Sequence, residues 1–125
     1  MAAREEVLRS IAEYAARYGL KPEQKEGVLV ILHSEYPVKI VVEPSGDAYV
    51  VELRVGEEIG ESIEGLLEEN VDPRAELEDI IETMVRVVDY AARKLEAAGY
   101  RVKRSTRNAI LDLYDALESY LEEEE

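Results

Sequence analysis

The sequence predicts an α+β fold: an N-terminal helix, a three-stranded antiparallel meander, then a short helix, a long amphipathic helix and a C-terminal helix packed on the sheet. Three observations lead there. Residues 72–99, DPRAELEDIIETMVRVVDYAARKLEAAG, place apolar side chains at helical spacing from end to end. Residues 36–55 alternate apolar and polar about the turn residues Pro44-Ser45-Gly46-Asp47, as a hairpin does. Residues 27–33, GVLVILH, form a Val- and Ile-rich run with no polar alternation, which reads as a strand buried on both faces.

In chain order, residues 3–18 form the first helix, with Val7, Leu8, Ile11, Tyr14, Ala15 and Tyr18 on one face. Gly19 can close it as the left-handed residue, Leu20 supplies the apolar contact beyond, and Pro22 cannot continue the turn. The strands follow at 27–33, 36–43 and 48–55. A four-residue turn would pair Glu43 with Ala48, and so set Lys39 opposite Glu52 and Val41 opposite Val50. The first of these strands would then be a long apolar edge that invites aggregation unless it is covered. Candidates for the cover are residues 100–104 as a fourth strand, a helix, or the same strand from a second copy.

Residues 57–69 read as a short helix with Ile59, Ile63, Leu66 and Leu67 inward, weakened by Gly60 and Gly65. In the long helix, Asp72 is a good N-cap, Pro73 suits the first position, and Gly99 suits the residue past the end. Leu77, Ile80, Ile81, Met84, Val85, Val87, Val88, Ala91, Ala92 and Leu95 share an arc of about 160°, wider than a coiled-coil seam. Acid-before-base pairs at Glu82 and Arg86, and at Asp89 and Arg93, mark the wet side. Ser105 or Thr106 caps a last helix with Ile110, Leu113, Tyr114, Leu117, Tyr120 and Leu121 inward. Residues 1–121 are read as one α+β domain and 122–125 as a frayed acidic tail.

Composition narrows the function classes. The chain has no Cys, so disulfides, thiolate metal sites and thiol chemistry are excluded. Its longest apolar run, Val28 to Leu32, is far short of a membrane span. Glu5, Glu6 and Glu13 argue against a targeting leader, so a cytoplasmic protein is expected. A charged fraction of 35%, one Gln and two Asn give a thermostable, thermophile-like composition. The net charge of -14 opposes binding to nucleic acid or anionic membrane.

Motifs for chemistry are sparse. His33 is the only histidine, and Ser34 beside it stands in no nucleophile elbow. Gly60 to Gly65 has the glycine spacing of a phosphate loop, but Leu66 and Leu67 stand where Lys and Ser or Thr belong. The carboxylates Glu57, Glu58, Glu61, Glu64 and Glu68, or Asp112, Asp115 and Glu118, lie at the spacing of a solvated helix face. Arg101, Lys103, Arg104 and Arg107 are the densest basic patch, suited to an anion or a partner.

The long helix spans about 39 Å and an eight-residue strand about 27 Å, so the helix overhangs a three-stranded sheet. The expectation is a small acidic non-enzymatic protein-interaction module, homodimeric, with another protein as a further partner class. No cofactor or metal is expected. The dimer surface is expected from Leu77, Ile81, Met84, Val88 and Leu95 on the long helix with Leu29 and Ile31 on the apolar strand. One alternative is a small-ligand binder or enzyme with a site near His33. The other is nucleic-acid binding through Arg101 to Arg107.

Overall fold

The side chain of Asp72 accepts a hydrogen bond from the Ala75 backbone N–H at 3.1 Å, and this N-cap opens the longest helix of the protein. The computed structural model describes residues 4–69 and 72–124. Its elements run α1 (Arg4–Arg17), β1 (Lys21–Lys25), β2 (Val28–Leu32), β3 (Val38–Ser45), β4 (Ala48–Val55), α2 (Ile59–Glu69), α3 (Pro73–Ala97), β5 (Arg101–Ser105) and α4 (Arg107–Glu124).

The helices follow their periodicity closely. Of the ten apolar positions expected inward on α3, all but Val85 are buried. On α1, Val7, Leu8, Ile11 and Ala15 are buried, and Tyr14 is half-buried. Both helices end in the same hydrogen-bonded cap. The Leu20 N–H bonds to the Ala15 carbonyl and Gly19 to Ala16; the Tyr100 N–H bonds to the Leu95 carbonyl and Gly99 to Glu96. On α2, Ile63 and Leu66 are buried while Ile59 and Leu67 are half-buried. The acidic segment from Glu122, expected to fray, continues α4 to Glu124, and Glu125 lies outside the described residues.

The sheet has five strands, not three, in the order β1-β2-β3-β4-β5. β1, KPEQK, joins β2 through a two-residue turn at Glu26 (φ 51°) and Gly27 (φ 82°), the positive-φ pair of a type I′ hairpin. Its side chains are polar and one is proline, so no hydrophobic alternation announces it. That is the usual makeup of an edge strand, which protects the sheet by what it lacks. β1 therefore covers the edge of β2 that the sequence leaves open. Residues 101–105 do form a strand, but parallel to β4 on the opposite edge, not beside β2. The chain leaves β4, passes through α2 and α3, and re-enters the sheet in the same direction, which a crossover connection permits.

The β3–β4 hairpin is also two residues longer in its ladder than expected. Ser45 pairs with Ala48 across Gly46-Asp47, so Glu43 faces Val50, Val41 faces Glu52 and Lys39 faces Arg54. Gly46 has φ 62° and Asp47 has no positive φ, the pattern of a type II′ turn. Pro44 reads as a turn residue yet sits in the ladder opposite Tyr49, where β3 runs past its last pair with β2 at Leu29 and Val42. A slip of two leaves every side chain on the same face, so hydrophobic pattern alone cannot distinguish the two registers. The Lys39–Glu52 pairing is replaced: the Arg54 guanidinium bonds Glu52 at 2.8 Å and Glu43 at 3.4 Å.

All four helices lie on one side of the sheet. Val7, Leu8, Ile11, Ile63, Leu66, Leu113 and Leu117 join the inward face of α3 in one core with Leu29, Ile31, Val38, Ile40, Val42, Tyr49, Val51 and Leu53. The excess length of α3 is therefore taken up by α1, α2, α4 and the two extra strands. β2 is buried on one face rather than both: Leu29 and Ile31 are enclosed, while Val28, Val30 and Leu32 are half-buried on the other side.

Candidate functional site: an open sheet face

Strand alternation, carried across the ladders, defines the face that no helix covers. Its centre is aliphatic: Val28, Val30 and Leu32 of β2, Val41 of β3, and Ala48 and Val50 of β4. None of these belongs to the core cluster on the helix side or to its packed fringe, although Val41 and Ala48 are themselves buried. Val41 is nonetheless only 4% exposed. It sits in the middle strand, between Val30 and Glu52. The rim holds Lys21, Glu23, Lys25, Lys39, Glu43, Glu52, Arg54, Arg101 and Lys103. Cations outnumber carboxylates there, against a chain of net charge -14. The Arg54 guanidinium is held above its ordinary range by its bond to Glu52 and by the charges of Glu52 and Glu43.

The basic patch expected from Arg101 to Arg107 is divided by the fold. In β5, Arg101 and Lys103 pair with Ala48 and Val50 and lie on the open face. Arg104 pairs with Val51 on the helix side, where its guanidinium bonds the Asp89 carboxylate of α3. Asp89 is thus engaged by Arg104, while the expected Glu82–Arg86 pair is present at 3.0 Å. Arg107 starts α4, exposed. Two cations of the patch therefore join Lys21, Lys25, Lys39 and Arg54 in a rim that sequence order does not show.

The seven residues expected at a dimer surface, Leu77, Ile81, Met84, Val88, Leu95, Leu29 and Ile31, are at most 9% exposed within the single chain. Their apolar surface is covered by the chain's own elements.

His33 serves the loop between β2 and β3. Its Nδ1 accepts the backbone N–H groups of Glu35 at 3.1 Å and Tyr36 at 3.2 Å, which requires an unprotonated Nδ1. Burial pushes the imidazole below its ordinary value, opposed by the nearby carboxylates of Glu35 and Glu76. Clefts of about 360 and 390 Å³ flank this loop, the first floored by Leu32, Pro37 and Val55, the second beside Tyr36 and Leu66; His33 lines neither. Among the described residues no group of three or more His, Cys, Asp or Glu side chains could hold a metal ion.

A second surface gathers aromatics and cations where α1 meets α3. The rings of Tyr14 and Tyr90 stack, Lys94 lies over Tyr90, and Arg86 lies over Tyr18. These groups satisfy one another. Among the described residues no helix is long and apolar enough to cross a membrane. Comparison with protein-family models, with curated proteins and with solved structures gave no match.

Proposed function

We propose that this protein is a small non-enzymatic protein-interaction module that forms a homodimer through the open face of its sheet. The observation that carries the reading is the aliphatic centre of that face: six residues, from Val28 to Val50, stand outside the helix-side core cluster of their own chain. Val28, Val30, Leu32 and Val50 are half-buried with no helix over them, and apolar surface left partly open inside a polar rim is a usual mark of a protein-binding site. Both signs of charge surround it, so the patch can complement a copy of itself, as a two-fold interface demands. Two such sheets packed face to face form a sandwich whose inner layer is aliphatic.

The engagement of His33 Nδ1 by two backbone donors supports a structural role for that residue and favours a binding role for the protein over an enzymatic one. Division of the basic patch between the two sides of the sheet likewise weakens the nucleic-acid reading.

Sedimentation velocity on the intact chain tests the proposal. The expected result is a dimer whose association is abolished by Val30→Asp, a half-buried open-face position, with circular dichroism and cooperative unfolding retained. A wild-type protein that stays strictly monomeric at high concentration would sink it.

A further inference from the structure

The three open-face residues of β3 are Lys39, Val41 and Glu43, and β3 is the middle of the five strands. Charge along this central strand is antisymmetric about Val41. Resting on the homodimer reading, we infer that two copies meet about a two-fold axis that lies over Val41 and runs across the strands, setting Lys39 of each copy against Glu43 of the other.

Three features of a single chain point to this arrangement. Lys39 is exposed, has no ion pair among the described residues, and faces the cation Arg54 across the ladder, an unfavourable neighbour in the monomer. Glu43 gives only Oε1 to Arg54, leaving Oε2 with no partner among the described residues. The same axis sets Val41 against Val41, Val30 against Val30, and Val28 against Leu32, so the β2 and β3 part of the aliphatic centre closes on itself; on β4 it sets Val50 against Arg54 and brings together the two Glu52 side chains, each bonded to Arg54 of its own chain. The complementary pair is confined to β3: one end of the face carries Lys21, Lys39 and Arg54, the other Lys25, Glu43 and Lys103.

The outer strand β1 also agrees. Its open-face residues are Lys21, Glu23 and Lys25, and an exact overlay would place Glu23 on its own copy. Aligned sheets, however, are rotated by about 30°, and two strands out, about 10 Å from the centre, this displaces the overlay by about 5 Å. That is most of the roughly 7 Å between same-face neighbours, so Glu23 moves toward a lysine whichever way the rotation runs. The interface is isologous and therefore closed: it yields a dimer and no open-ended assembly.

Charge reversal on the full-length chain tests the geometry by sedimentation equilibrium. Because each substitution acts twice across the two-fold, Lys39→Glu and Glu43→Lys are each expected to weaken dimerisation about tenfold or more. The double variant Lys39→Glu/Glu43→Lys is expected to return to within about threefold of wild type. Lys39→Glu replaces a like-charge neighbour of Arg54, so its monomer is expected to unfold at or above the wild-type temperature, and loss of the dimer cannot be ascribed to misfolding. A wild-type dimer that ignores the single reversals, or is not rescued by the double one, overturns this arrangement and leaves the homodimer standing. A wild-type monomer overturns both.

Discussion

The ring of Tyr14 on α1 lies parallel to the ring of Tyr90 on α3, with centroids 3.8 Å apart and planes 1° from parallel. The Tyr90 hydroxyl lies 3.1 Å from Ser10 Oγ on the same helix as Tyr14. This pair fixes how the N-terminal helix sits on the organising one. Tyr90→Ala is expected to lower stability by about 2 to 3 kcal/mol, and Tyr90→Phe, which keeps the stack and loses only the hydroxyl contact, by about 0.5 to 1 kcal/mol. Urea unfolding followed by circular dichroism measures both. Equal losses would show that the stack contributes nothing.

Tyr49 is 2% exposed and, among the described residues, its hydroxyl makes no hydrogen bond of ordinary geometry, although the Arg4 guanidinium lies near it. Burial pushes its phenol above the ordinary value, with Arg4 pulling it back down. Tyr49→Phe removes an unsatisfied polar atom and keeps the ring against Tyr100, so stability is expected to be unchanged or to rise by up to about 1 kcal/mol. A clear fall in melting temperature would mean that the hydroxyl has a partner in solution.

Glu26 is the one non-glycine residue with positive φ among those described, at 51°. Ordinary side chains lose about 1 to 2 kcal/mol there, and asparagine tolerates it best. Glu26→Asn produces an Asn-Gly hairpin turn and is expected to stabilise the protein by about 0.5 to 1 kcal/mol, read as a higher denaturant midpoint with an unchanged slope.

His33 gives a pH dependence of known sign. Burial lowers its folded-state value below the ordinary 6.5, so the unfolded chain binds this proton at a higher pH than the folded chain does. Its contribution to stability is therefore complete above about pH 6.5 and is lost as the pH falls through and below that value. His33→Asn keeps an acceptor for the Glu35 and Tyr36 N–H groups and does not titrate. The difference in unfolding free energy between wild type and variant is expected to shift against the wild type from pH 7 to pH 5. Direct titration of the single imidazole by NMR is expected to give a midpoint below 6.5, and a midpoint at or above it contradicts this account.

What the amino-acid sequence determines by itself is local: the span, caps and buried stripe of α3, the faces of α1 and α4, the existence of β2, β3 and β4, and the turn at Gly46. Each is written in spacing, in a capping side chain or in glycine at a left-handed position, signals that need no distant partner. The tertiary structure decides what those signals cannot carry. β1 is held by backbone pairing to β2, so a strand of Lys, Pro, Glu and Gln leaves no apolar trace of itself. The β3–β4 register depends on whether Pro44 enters the ladder, because a slip of two residues preserves every face. Alternation in β5 sends Arg101 and Lys103 to one side and Arg104 to the other, and only the partner strand shows which side is covered. The open face itself, with Val30 and Val41 at its centre and Lys39 and Glu43 at its ends, exists because four helices choose the same side of the sheet, a choice made by the shared core and not by any one segment.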